Sequence, residues 1–79
     1  VALVYESKGV RFHIFPNDHS PPHCHVIHKD WELKLDLTED YRVLYINGKP
    51  SKADIKEAQR IARENKFEMG KAWRKYHGS

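Results

Sequence analysis

The sequence predicts an α+β domain: an antiparallel sheet of four to five strands followed by one or two C-terminal helices packed on one face. Three observations predict it. Apolar and polar residues alternate with the two-residue period of a strand through much of residues 1–46, and the period lengthens to that of a helix after Ser51. Between the two regimes, Asn47-Gly48-Lys49-Pro50 is a clear break. A chain of 79 residues, 39% of them hydrophobic, has room for one domain, 1–79, with 1–46 as its sheet part and 51–77 as its helical part.

The elements follow in order. Val1-Ala2-Leu3-Val4-Tyr5 and Val10-Arg11-Phe12-His13-Ile14-Phe15, joined by Ser7-Lys8-Gly9, read as a hairpin. Val10, Phe12 and Ile14 share the core face, which leaves Arg11, His13 and Phe15 on the other. Pro16, Pro21 and Pro22 make the next segment a stiff loop. His23–His28 is a third strand. Trp31-Glu32-Leu33-Lys34-Leu35-Asp36-Leu37 is a fourth, with Trp31, Leu33, Leu35 and Leu37 on one side. Tyr41–Ile46 is a fifth. Ser51 and Asp54 form an S-x-x-D capping signature, and Ile55, Ala58, Ile61 and Ala62 an apolar stripe, so a helix spans about 51–64. Asn65-Lys66 interrupts it. Met69, Ala72, Trp73 and Tyr76 then recur at helical spacing, as a second helix or the continuation of a kinked one.

Composition narrows the function classes. No apolar run approaches the roughly 18 residues that would span a bilayer, and the N-terminal stretch is too short for a secretory signal, so a soluble protein with no membrane partner is expected. The lone Cys24 cannot close an intrachain disulfide, which fits a reducing cytoplasm. The formal charge is +3, but residues 1–50 carry six Lys/Arg against seven Asp/Glu and residues 51–79 eight against four. Any anion-attracting surface should therefore lie toward the C-terminus.

Histidine is distributed the other way: His13, His19, His23, His25 and His28, five of the six, fall in one sixteen-residue window. Within Asp18-His19-Ser20-Pro21-Pro22-His23-Cys24-His25-Val26, His23 and His25 point to the same side of an extended strand, about 7 Å apart. The proline pair can fold His19 back toward them, and Asp18 can orient an imidazole through its second N–H. Three chemistries are open. His19, His23 and His25 can bind Zn²⁺ or another divalent ion with a position left for water. They can act without metal as general acid and base on a phosphodiester, with Arg11 stabilising the developing charge. They can simply hold an anion or a partner's carboxylate. Against all three stands a structural role, in which each ring bonds the backbone of a loop-to-strand junction. Cys24 alternates to the opposite side and reads as a small buried hydrophobe. His13 and His28 are weaker candidates, and His77 sits where it favours a helix dipole.

On the first helix, Lys52, Lys56, Arg60 and Arg63 fall within about 80° of one another, opposite the apolar stripe. Such a row can track nucleic-acid phosphates. It is also what a solvated helix face looks like, and Glu57 and Glu64 are spaced to pair with Arg60. The pI of 9.1 just reaches the range of nucleic-acid-binding domains, and Lys71, Arg74 and Lys75 enlarge the patch. Trp31, Trp73, Tyr41, Tyr45 and Tyr76 have rings that can stack on bases, but aromatics at strand or helix spacing are more often core, and a chain this short needs Trp31 and Trp73 there.

The chain resembles a small bacterial family catalogued as domain of unknown function 4160. The likeness runs nearly end to end and rests on Val10–Phe15, the H-x-P-P-H-x-H loop from His19 to His25, and the helical part with Glu64-Asn65-Lys66 and Trp73. It implies a short bacterial protein whose gene sits beside that of a second small protein, in pairs resembling toxin–antitoxin modules; it implies no activity. The leading expectation is a cytoplasmic protein acting with such a partner through its His19/His23/His25 surface. Its rivals are a nuclease or other phosphodiesterase, in which those histidines bind metal or move protons while Arg11 and the Lys52/Lys56/Arg60/Arg63 face hold substrate, and a nonenzymatic nucleic-acid-binding module.

Overall fold

Each expected strand pairs with its neighbours in sequence. In the computed structural model, which describes residues 2–78, the strands are β1 (Ala2–Ser7), β2 (Val10–Ile14), β3 (His23–Ile27), β4 (Trp31–Asp36) and β5 (Val43–Gly48), followed by α1 (Lys52–Glu64) and α2 (Lys66–His77). Val1, where the first strand was expected to begin, lies outside the described residues, as does Ser79. The sheet has the order β1-β2-β3-β4-β5, antiparallel throughout. Lys8 and Gly9, both at positive φ, make the tight turn that joins β1 to β2.

Register then decides which residues share a face. Phe12 pairs with Val26 and Val26 with Leu33, while Cys24 pairs with Leu35; with Ile14 these six side chains are fully buried. The helices add Ala58 and Ala62 from α1 and Met69 and Trp73 from α2 to the same core. Each large aliphatic or aromatic side chain sealed there contributes roughly 1.5–3 kcal/mol. The opposite face of the central strands carries the row His13, His25, Lys34 and, beside it, the row Arg11, Ile27, Glu32. That face holds the histidines of β3.

The fifth strand begins two residues later than its apolar pattern suggests. Asp36 is the cause. Its side chain is 1% exposed, and it accepts hydrogen bonds from the Thr38 hydroxyl (2.7 Å), the Thr38 N–H (2.7 Å), the Glu39 N–H (3.2 Å) and the Arg42 Nε–H (3.4 Å). Burial pushes its pKa up, but these donors outweigh burial and hold the carboxyl below its ordinary value. The turn they build takes Asp40 and Tyr41 through positive φ and delivers Tyr41 to the core instead of the strand. There the Tyr41 carbonyl accepts from Gln59 Nε2 (3.0 Å), which ties the turn to α1. Leu37 falls outside β4 as well, and its N–H donates to the Pro22 carbonyl (2.8 Å), fixing the end of the proline loop against the sheet.

At the break after β5, Gly48 adopts positive φ, and a Cβ there would collide with the Asp30 carbonyl oxygen and Trp31 Cα. Ser51 caps α1 through a reciprocal pair with Asp54: Asp54 N–H to Ser51 Oγ (3.0 Å) and Ser51 N–H to the Asp54 carboxylate (2.9 Å). Asn65 resolves the helical part into two helices. Its N–H and its side-chain amide both donate to the Ile61 carbonyl (3.0 and 2.8 Å), which ends α1, while its own carbonyl accepts from Met69 N–H (2.9 Å), which starts α2. Among the described residues no helix is long and apolar enough to cross a membrane.

Candidate metal centre

The loop after β2 turns back on itself at once. Phe15 N–H donates to the Asp18 carboxylate (3.2 Å) and Asp18 N–H donates to the Phe15 carbonyl (3.2 Å), so the side chain of Asp18 is drawn under the loop, with only 12% of it exposed. Two residues apart on β3, His23 and His25 project to the same side, their ring centroids 5.3 Å apart. Asp18 lies between them. One donor atom from each of Asp18, His23 and His25 can be chosen so that all lie within 4.8 Å of one another, and Asp18 oxygens stand 3.5 Å from His23 Nε2 and 3.0 Å from His25 Nε2. Bonds of about 2.0–2.2 Å to a common ion require donor separations of this size.

The far nitrogens explain why the near ones converge. His23 Nδ1 lies 2.8 Å from the Pro21 carbonyl oxygen, which can only accept, so Nδ1 carries the proton and the neutral ring keeps its lone pair on Nε2. His25 Nδ1 lies 3.3 Å from Glu32 Oε2, on β4, and donates to it when the ring is in the same tautomer. Backbone carbonyl and carboxylate are the usual outer partners of metal-bound histidine: they fix the ring and raise the basicity of the ligating nitrogen. The edge of Phe15 packs on His25 at 4.5 Å between centroids, and Trp73 of α2 lies 5.6 Å from His23. With side chains only 10% and 11% exposed, the two imidazoles are fixed but not sealed. A surface depression of about 280 Å³ opens beside them, lined by Asn17, Asp18, His19, His23, Lys34 and Leu44 among others.

Over residues 9–74 the chain matches the family described as Domain of unknown function (DUF4160). It belongs to that family. The matched span holds the whole donor set and its outer partners. No curated protein and no solved structure matches the chain.

In this DUF4160 chain the residues singled out in the sequence separate. His23 and His25 come together as expected. His19 does not join them: it is exposed, on the rim of the depression, and Asp18, expected only to orient an imidazole, holds the third position. With Asp18 drawn inward by its bonds to Phe15, the next side chain is left on the solvent side. Arg11 is exposed on β2, opposite Ile27, and lines neither the donor set nor the depression. Cys24 faces the core, where burial pushes its thiol up to about 12 and leaves it protonated at neutral pH. His13 sits across from His25 and stacks on Phe15; burial first, then Arg11 and His25, lowers its pKa. His28 stacks on Trp31 and accepts from Asp30 N–H (3.1 Å) in the β3–β4 turn. His77 Nδ1–H donates to the Trp73 carbonyl (2.9 Å) near the end of α2, a capping role.

The cations of α1 also separate. Arg60 is gripped by Glu57 (2.6 Å) and Glu64 (2.8 Å), and Arg63 by Asp40 (3.1 Å), while its guanidinium covers the Tyr41 ring. Lys52 and Lys56 have no ion-pair partner among the described residues. Half of the row is therefore compensated within the fold. Glu32 was not anticipated as a partner of His25. Its place on the wet side of β4 was legible, but its proximity to His25 depends on the β3–β4 register, which the sequence does not encode in any local pattern.

Proposed function

We propose that this chain binds one divalent transition-metal ion through Asp18, His23 and His25, and that the coordination positions left open toward the depression activate water or a ligand for hydrolytic chemistry. The observation that carries the reading is convergence: Nε2 of His23 and Nε2 of His25 both face the Asp18 carboxylate, at 3.5 and 3.0 Å, while Pro21 and Glu32 lie on the Nδ1 sides. Two imidazoles and one carboxylate suit zinc, iron or manganese, and three protein ligands leave room for an exchangeable one. The test is metal analysis of untagged protein together with hydrolysis assays on model phosphodiesters. The reading expects one equivalent of metal and an activity lost on chelation and restored by metal. Metal-free protein that takes up neither zinc nor manganese would overturn it.

A second reading, that the chain works with a small protein partner in a toxin–antitoxin-like pair, is favoured by β5. This strand has no neighbour on its outer edge among the described residues, has no charge or proline, and exposes Leu44, Tyr45 and Ile46 by 38%, 44% and 49%. Unprotected apolar edges of this kind invite an added strand. Within such a pair this chain is the member that carries the chemistry. Co-expression with the neighbouring gene product tests it: the pair should co-purify and protect the amides of residues 43–48 from exchange, and separate migration of the two proteins would count against it.

A further inference from the structure

Resting on the metal reading above, the geometry points to a phosphoryl-bearing anion as the ligand that the depression takes, with Lys34 as its second anchor beside the ion. Lys34 is the cross-strand partner of His25, on the same face of the sheet, and it lines the depression together with Asp18 and His23. Its ammonium group lies 4.9 Å over the Tyr45 ring and has no carboxylate partner among the described residues. Asp18 is the one acid in the lining. Glu32, the other carboxylate at hand, is engaged by the far nitrogen of His25 and is not part of that wall.

Electrostatics follows from this inventory. A divalent ion on the single carboxylate Asp18 keeps net positive charge, and Lys34, a residue of the same lining, adds to it in a recess with apolar walls at Pro21 and Leu44, where charges are screened less than in open water. A cationic ligand is repelled by that field, and a neutral one gains only an ion–dipole attraction. A phosphoryl group gains twice, because one oxygen can coordinate the ion while another accepts from Lys34, the two-point clamp that stabilises phosphoryl transfer. A carboxylate monoanion carries less charge to share between the two anchors. The apolar wall leaves space for the organic part of an ester, and His19 at the rim can donate a ring N–H to it.

The experiment titrates inorganic phosphate into cobalt-loaded protein, followed by the visible cobalt absorption, with acetate and metal-free protein as parallel arms. Phosphate should shift the cobalt bands, acetate should bind more weakly, and metal-free protein should show little binding by calorimetry. Lys34→Gln should weaken phosphate about tenfold or more, the size of one lost charged hydrogen bond, while cobalt affinity stays within about twofold of wild type. Lys34→Arg should restore most of the phosphate affinity, and Lys56→Gln on α1 should change nothing. If cobalt loads normally but Lys34→Gln binds phosphate like wild type, or acetate binds as tightly as phosphate, this inference fails and the metal reading stands. If cobalt does not load at all, both fail.

Discussion

On β3, His23 and His25 turn two nitrogens toward one carboxylate; on α1, Lys52, Lys56, Arg60 and Arg63 lie along one exposed face, and two of the four are answered by acids of the same fold. The two regions differ in what the neighbours do. Around the histidines, the Pro21 carbonyl and Glu32 lie against the outward nitrogens, and both inward ones converge on the single carboxylate of Asp18. Around Arg60, Glu57 and Glu64 close the account within the helix, and the Arg60 guanidinium in turn holds the Glu57 carboxyl below its ordinary pKa. The histidines converge on one point with their acid, whereas Arg60 and Arg63 of α1 are paired off one by one along a helix face.

Substitutions can break this contrast directly. The largest effect is expected at the donor set: Asp18→Ala or His23→Ala should lower zinc affinity by roughly a hundredfold or more, measured by competition with a chromophoric chelator, whereas Lys52→Gln with Lys56→Gln should leave it unchanged. Glu32→Gln sharpens it, because it removes only an outer partner; a loss of about tenfold to a hundredfold is expected with the stoichiometry intact. Third comes the anchor at the end of β4. Asp36→Asn should cost about 1–3 kcal/mol in a denaturant titration, since a buried acceptor of several hydrogen bonds loses its charge.

Asp36 also sets a pH dependence. Its carboxyl binds a proton less readily in the folded chain than in the unfolded one, so its stabilisation is fully present above the unfolded value near pH ~3.9 and is lost as pH falls through the lower folded value. Wild type should lose stability through that acid range, and Asp36→Asn should lose less. The smallest effect is expected at Arg60→Gln, where thermal unfolding at high salt should match wild type, because exposed ion pairs are screened.

Much of this was legible in the chain. The alternation of Trp31-Glu32-Leu33-Lys34-Leu35 placed β4 and its faces, the Ser51/Asp54 pair placed the start of α1, and the offset of Cys24 from His23 and His25 placed the thiol in the core. These are short-range signals, set by periodicity and by bonds three residues apart. The start of β5 was not legible, because the buried Asp36 overrides a run from Tyr41 to Ile46 that is apolar except at Arg42, by capping a turn ahead of it. At the site, the two β3 histidines follow from strand geometry alone. The exchange of His19 for Asp18 does not, since it depends on the reciprocal Phe15–Asp18 bonds, and the role of Glu32 depends on how two strands are registered.

The convergence of the two Nε2 atoms is tested most directly by long-range ¹H–¹⁵N imidazole spectra recorded during a zinc titration. The account predicts that Nε2 of His23 and His25 shifts to the metal-bound position together at one equivalent, with the Nδ1 protons retained on both rings and the resonances of His19 unmoved. Spectra in which zinc leaves both rings unchanged, or binds them through Nδ1, would contradict it.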